Sequence, residues 1–237
     1  MSNIKSREPQ QPAKRAVADF LDRVAKTPLV KPATDRGRLI FAMDATASRE
    51  PTWSSACQIQ NRMFDETAAL GGLEIQLCYY RGQTAFSATP WLRSSEDLKR
   101  RMCEVSCLGG MTQIGQVLAH ALRETRRRKV DALVFVGDCV EESVEQLCQQ
   151  AGELRMHGVP LFLFQEGHDP VAERAFRKMA QLTGGAYCPF NVGSAQQLAD
   201  LLGAVAVYVA GGRSALEDFG HRQGGAAPRL LRQLSRG

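Results

Sequence analysis

The run Leu39-Ile40-Phe41-Ala42-Met43-Asp44-Ala45-Thr46-Ala47-Ser48 decides how the rest of the chain is read. A short apolar stretch that stops at a polar loop reads as a short buried strand, and the longer apolar run from Val130 to Val136 is typical of a central parallel strand. The stretch ends on a carboxylate, Asp44, and the hydroxyls of Thr46 and Ser48 follow at alternate positions. In an open parallel sheet, ligands bind beyond the carboxyl ends of the strands, so this ending is the first place to look for chemistry.

Outward from that run, apolar strands alternate with amphipathic helices. Strands are expected over 38–43, 73–80, 84–88, 130–136, 159–164 and 186–188. Helices are expected over 51–70, 94–103, 112–128, 142–156, 170–182 and 194–209. Ile114, Val117, Leu118, Ala121 and Leu122 share one face of the third of these, and Leu198, Leu201, Leu202, Val205 and Val209 one face of the last. Ser94 and Ser95 suit a helix start, Pro170 a first turn and Gly184-Gly185 a helix end. This alternation predicts an α/β fold, a doubly wound, mainly parallel sheet with helices on both faces.

The ends read differently. Residues 1–35 form a polar N-terminal segment, its first ten residues expected to be disordered. Val17, Phe20, Leu21 and Val24 give it one amphipathic helix, expected to pack on the main domain or on a partner. Residues 36–210 are the expected domain, and 211–237 a tail rich in Gly and Arg.

The 237 residues are 44% hydrophobic and 23% charged, as in ordinary globular proteins, and the net charge of +5 does not call for nucleic acid. No stretch approaches the ~20 apolar residues of a membrane span, and residues 1–14 lack a hydrophobic signal region. Cytoplasmic localisation is expected. The seven cysteines, odd in number and irregular in spacing, suit a reducing compartment.

Three segments should converge at one sheet edge: Asp44 to Ser48, Gly109-Gly110-Met111-Thr112 before a helix, and Asp138 after Leu133-Val134-Phe135-Val136-Gly137. Asp44, Thr46, Ser48, Thr112 and Asp138 are then two carboxylates and three hydroxyls. Such hard oxygen donors suit Mg²⁺ best, or Mn²⁺ or Ca²⁺, with a coordination position left for water or for an acidic group from a partner.

An apolar strand followed by Asp-x-Thr-x-Ser, then Gly-Gly-x-Thr, then a strand ending in Asp resembles the von Willebrand factor A (VWA) family, over roughly 170 residues. Its metal-ion-dependent adhesion site (MIDAS) uses Asp-x-Ser-x-Ser, a Thr and an Asp in that order. The resemblance matches Asp44, Thr46, Ser48, Thr112 and Asp138 to those ligands. Thr46 keeps the oxygen donor of the family's first Ser, and Cys139 stands where Gly often follows the last Asp. The resemblance implies a Rossmann-like VWA fold, a non-enzymatic role and a protein partner whose Asp or Glu completes the metal shell. For bacterial intracellular members it implies partnership with AAA-type ATPases or chaperone-like complexes.

Other readings compete. A haloacid-dehalogenase-type hydrolase also places Asp after its first strand, but the second acid of its Asp-x-Asp is Thr46 here, and a convincing Lys is missing. A metal-free scaffold with a degenerate site is the third reading. Gly110 to Gly115 resembles a phosphate loop, but Gln116 stands where Lys is required. Cys103 and Cys107 lack a second pair for zinc, and the four histidines are scattered. Arg81 and Trp91 are candidate partner-binding residues, Trp91 being an interface anchor if exposed.

Overall fold

The computed structural model describes residues 19–20, 23–24, 36–59, 72–190 and 195–222. In chain order these form β1 (Gly37–Asp44), a 3-10 turn (Ala47–Arg49), α1 (Glu50–Ile59), β2 (Leu73–Arg81), β3 (Ala85–Ala88), α2 (Ser95–Cys103) and α3 (Ile114–Arg127). There follow β4 (Ala132–Gly137), α4 (Val144–Met156), β5 (Leu161–Glu166), α5 (Pro170–Thr183), β6 (Ala186–Phe190) and α6 (Ala195–Arg222). The sheet is six-stranded, in the order β3-β2-β1-β4-β5-β6. All neighbours are parallel except β2 and β3, which pair antiparallel. The expected α/β architecture is therefore the observed one.

β1 lies inside the sheet, with β2 on one side and β4 on the other, and every one of its residues is buried. The alternation of side chains along it feeds two cores. Leu39, Phe41 and Met43 face α1, α2 and α6, whereas Ile40 and Ala42 face α3, α4 and α5. Each large apolar side chain buried this way contributes about 1.5–3 kcal/mol relative to exposure, which explains the unbroken apolar run. From β1 the chain winds outward to β2 and β3, then crosses back to β4 on the other side of β1. The winding direction thus reverses between β1 and β4, and their carboxyl ends flank the crevice where such sheets bind ligands.

Several helix ends follow the expected chemistry. The Ser94 side chain accepts from the Asp97 N–H at 3.1 Å, and Asp169 accepts from Ala172 N–H at 2.6 Å ahead of Pro170. Gly184 closes α5 in the left-handed region, with φ of 71°. Two helices start later than their periodicity suggested. α3 begins at Ile114, leaving Thr112 and Gln113 in the preceding loop, and α4 begins at Val144 with Ser143 as its cap.

α6 does not stop near Val209. It continues through Gly211 and Gly212, neither of which takes a positive φ, and Ala215 is still buried. Glycine weakens a helix by only about 1 kcal/mol relative to alanine, and packing overrides that. The N-terminal helix expected around Phe20 shows in its described residues. Phe20 and Val24 are buried, the Phe20 ring lying 6.0 Å from Phe162 and 5.1 Å from Phe164. Val17, Leu21, Met63, Thr67 and Leu70 lie outside the described residues, as do 223–237. Among the described residues no helix is long and apolar enough to cross a membrane.

Candidate metal centre

Asp44 closes β1 at the switch point and is fully buried. One of its carboxylate oxygens accepts the Thr46 N–H at 2.7 Å, the local turn that Asp favours two residues before a backbone donor. The other accepts the Tyr80 hydroxyl at 3.1 Å, and Tyr80 itself stands opposite Asp44 on β2. From there a chain of oxygens crosses to β4. Thr46 Oγ1 lies 3.4 Å from Ser48 Oγ, and Ser48 Oγ donates to Asp138 Oδ2 at 3.1 Å. Asp138 Oδ1 is buried and has no hydrogen-bond partner. Burial pushes the Asp44 carboxyl above the ordinary carboxylate range. Hydrogen bonds from Thr46 oppose that push, Asp138 adds to it and Arg49 draws it back.

Thr112 reaches the same edge from the loop before α3. Its N–H donates to Glu141 Oε2 at 2.7 Å, and its hydroxyl accepts the Glu141 N–H at 3.0 Å. Glu142 forks across the start of α3, accepting from Ile114 N–H and Gly115 N–H at 2.7 Å each. These are the unpaired donors at a helix N-terminus, where an anion is favoured. Sequence reading missed both glutamates. The available signal was a pair of acids directly after the Asp138 strand, facing a helix whose own cap, Gln113, makes no side-chain capping bond.

The loop that carries Thr112 is fastened at several points. Leu108 N–H donates to Ala45 O at 3.0 Å, and Arg81 Nη1 donates to Ser106 O at 2.8 Å and to Ser106 Oγ at 2.7 Å. Gly110 lies directly on Gly82, where an added Cβ would stand 1.9 Å from the Gly82 carbonyl oxygen, so no side chain fits. Arg81 is therefore at this edge and bonded within the chain.

Trp91 lies elsewhere. Its ring packs 3.7 Å beneath the Arg38 guanidinium, and its N–H donates to Glu124 at 2.8 Å. Arg38 and Asp44 stand near opposite ends of β1, about 20 Å apart by the strand rise. The structure thus brings Asp44, Thr46, Ser48 and Asp138 together, ties Thr112 to the Asp138 loop, and leaves Trp91 toward the far end.

Arg49 was also missed, although it directly follows Ser48. It is 1% exposed and forms an ion pair with Glu166 at the end of β5. Thr52 donates to the same Glu166 oxygen at 2.5 Å. The Nε and Nη2 atoms of Arg49 are buried without a hydrogen-bond partner. Burial lowers the Arg49 pKa, while Asp138, Asp44 and Tyr80 raise it, so the guanidinium stands in the field of both site carboxylates.

The donor set fits a small divalent cation. It consists of hard oxygens, and Asp138 Oδ1 still has coordinating capacity. Among the described residues no group of three or more His, Cys, Asp or Glu is placed to hold a metal ion. Cys139 beside it is not poised as a nucleophile. Burial and Asp138 push its thiol up to about 12.

No protein-family model matches the chain, and no curated protein does. Solved structures do. The SpRpn10 VWA domain is 14% identical, with a TM-score of 0.55 over 71% of this chain and 94% of that one. A point mutant of the PilB minor pilin from Streptococcus sanguinis is 7% identical, with a TM-score of 0.59 over 78% of this chain and 64% of that one. Proximal thread matrix protein 1 from the mussel byssus, with a zinc-occupied MIDAS motif, is 16% identical, with a TM-score of 0.51 over 76% and 48%. At these identities the likeness concerns the fold. A six-stranded sheet with β1 between β2 and β4, helices on both faces, and these neighbours together give the chain the fold of a von Willebrand factor A domain.

Proposed function

We propose that this chain is a metal-dependent protein-interaction module of the MIDAS type. Asp44, Thr46, Ser48, Thr112 and Asp138 would hold the cation, and an acidic side chain of a protein partner would complete its shell. The observation that carries this reading is the line of oxygens from Thr46 through Ser48 to Asp138, ending in a buried, unpartnered Oδ1. A bound cation supplies positive charge with an open position, which an incoming carboxylate fills.

The protein's own groups supply the frame. Thr46 N–H and Tyr80 OH fix the Asp44 carboxylate, Glu141 fixes Thr112, and Arg81 fixes the intervening loop at Ser106. Arg81 thereby stands at the rim of the proposed partner surface; Trp91 would serve a separate contact. Mg²⁺ is the cation we favour, with Mn²⁺ or Ca²⁺ as alternatives, and the zinc in the mussel protein makes Zn²⁺ a further ion to titrate. An AAA-type ATPase or chaperone-like complex of the bacterial cytoplasm is the proposed partner class.

The role is non-enzymatic. Full burial and hydrogen bonds to both oxygens of Asp44 favour a metal anchor over a nucleophile. Calorimetric titration with Mg²⁺ and Mn²⁺ tests the site directly. Binding that disappears in Asp138→Asn supports it; uptake of neither ion, by wild type or by Arg49→Gln, overturns it and favours the metal-free scaffold.

A further inference from the structure

The proposed metal edge contains a cation of its own. Arg49 follows Ser48 immediately, is buried, and is paired through Nη1 with Glu166. Its Nε and Nη2 have no acceptor, and Asp138 Oδ1 has no donor. Buried donors and acceptors are nearly always satisfied, directly or through a buried water. Here orphans of opposite kind belong to two groups that feel each other's charge. Ser48, the residue directly before Arg49, donates to Asp138, which sets the two groups at the same edge.

We propose that Arg49 is the built-in counter-cation of this edge: it neutralises Asp138 and Asp44 when no metal is bound, and it opposes metal binding. The inference rests on the metal-site reading and adds its regulation. A divalent ion must share the Asp138 and Asp44 charge with a guanidinium that cannot leave or deprotonate at ordinary pH. Metal alone then binds weakly. A partner carboxylate at the open position adds negative charge and tightens the ion, and by linkage the ion tightens the partner to the same degree. Each therefore binds more tightly when the other is present.

A competing role is purely mechanical. Arg49 joins the 3-10 turn to β5 through Glu166, and Thr52 supports that bond. The two roles differ in sign. If Arg49 only anchors the turn, Glu166→Gln and the double variant Arg49→Met with Glu166→Gln should both loosen the site and weaken metal binding. If Arg49 acts through its charge, Glu166→Gln leaves it less neutralised and weakens Mn²⁺ binding, whereas the double variant removes it and strengthens binding.

Calorimetric titration of the full chain with MnCl₂ reads this out, and a melting curve checks that each variant is folded. We expect the double variant to bind Mn²⁺ about tenfold more tightly than wild type, and Glu166→Gln to bind several-fold more weakly. If a variant fails to fold, Arg49→Gln keeps hydrogen-bonding reach without the charge and should also tighten Mn²⁺. Wild-type binding that stays unchanged or weakens when Arg49 loses its charge overturns the counter-cation and leaves the metal site standing. Absence of Mn²⁺ binding in wild type and in every variant overturns the metal site itself.

Discussion

Replacing Asp44 in two ways separates its structural work from its charge. In Asp44→Ala, the Thr46 N–H and the Tyr80 hydroxyl lose their acceptor, and both residues are buried. An unsatisfied buried donor costs about 1–3 kcal/mol, so the two together cost about 2–6 kcal/mol. Removing a carboxylate whose ionisation burial already opposes offsets part of this. In Asp44→Asn, the amide oxygen can still accept from Thr46 and the amide N–H₂ can donate to the Tyr80 oxygen. The loop keeps its bonds and loses only its charge. We therefore expect Asp44→Asn to stay within about 1 kcal/mol of wild type in chelator, and Asp44→Ala to fall about 3 kcal/mol below Asp44→Asn.

For a chain of this size that gap is about 6–12 °C in melting temperature. Thermal unfolding followed by circular dichroism, in EDTA and in MgCl₂, measures both effects. At a hundredfold excess over Kd the ion should add about 2.7 kcal/mol to wild type and nothing measurable to either variant. Coincident melting of the Asn and Ala variants in chelator refutes the structural argument. A Mg²⁺-induced rise that survives in Asp44→Asn refutes the role of the charge.

Two further predictions concern the supports around the site. Glu142→Ala strips the acceptor from Ile114 N–H and Gly115 N–H, and should lower stability by about 1–2 kcal/mol and weaken Mn²⁺ binding by loosening Thr112. Unchanged urea unfolding would show that α3 does not need that carboxylate. His120 sits 2.8 Å from Gln76 and against the Phe86 ring, and burial holds its pKa below the ordinary 6.5. The unfolded imidazole therefore takes up its proton first. The stabilising contribution is complete above 6.5 and is lost as pH falls through the folded value. Melting temperatures of wild type and His120→Gln should converge toward acid pH; parallel curves would show that His120 does not carry that slope.

Legibility followed the range of the interactions. Strand positions were readable because burial on both faces leaves an unbroken apolar run, as in 39–43 and 132–136. The oxygen donors at Asp44, Thr46, Ser48 and Asp138 were readable because each directly follows such a run or sits within its loop. Helix starts were less so. Thr112 and Glu142 look helical by composition, yet they leave their helices to bond across loops 29 and 27–28 residues apart in sequence. The end of α6 was misread because Gly211-Gly212 resembles a stop signal, and packing beyond it has no local mark.

By itself the sequence determined the α/β alternation and the chemistry available at the end of β1, since apolar periodicity and residue type are local properties. Tertiary structure alone decided the rest. It sets Tyr80 against Asp44, hands the start of α3 to Glu142, holds Trp91 beneath Arg38, and buries Arg49 against Glu166. Each of these depends on which strands are neighbours, and a buried charge takes its meaning from groups that only the fold brings near it.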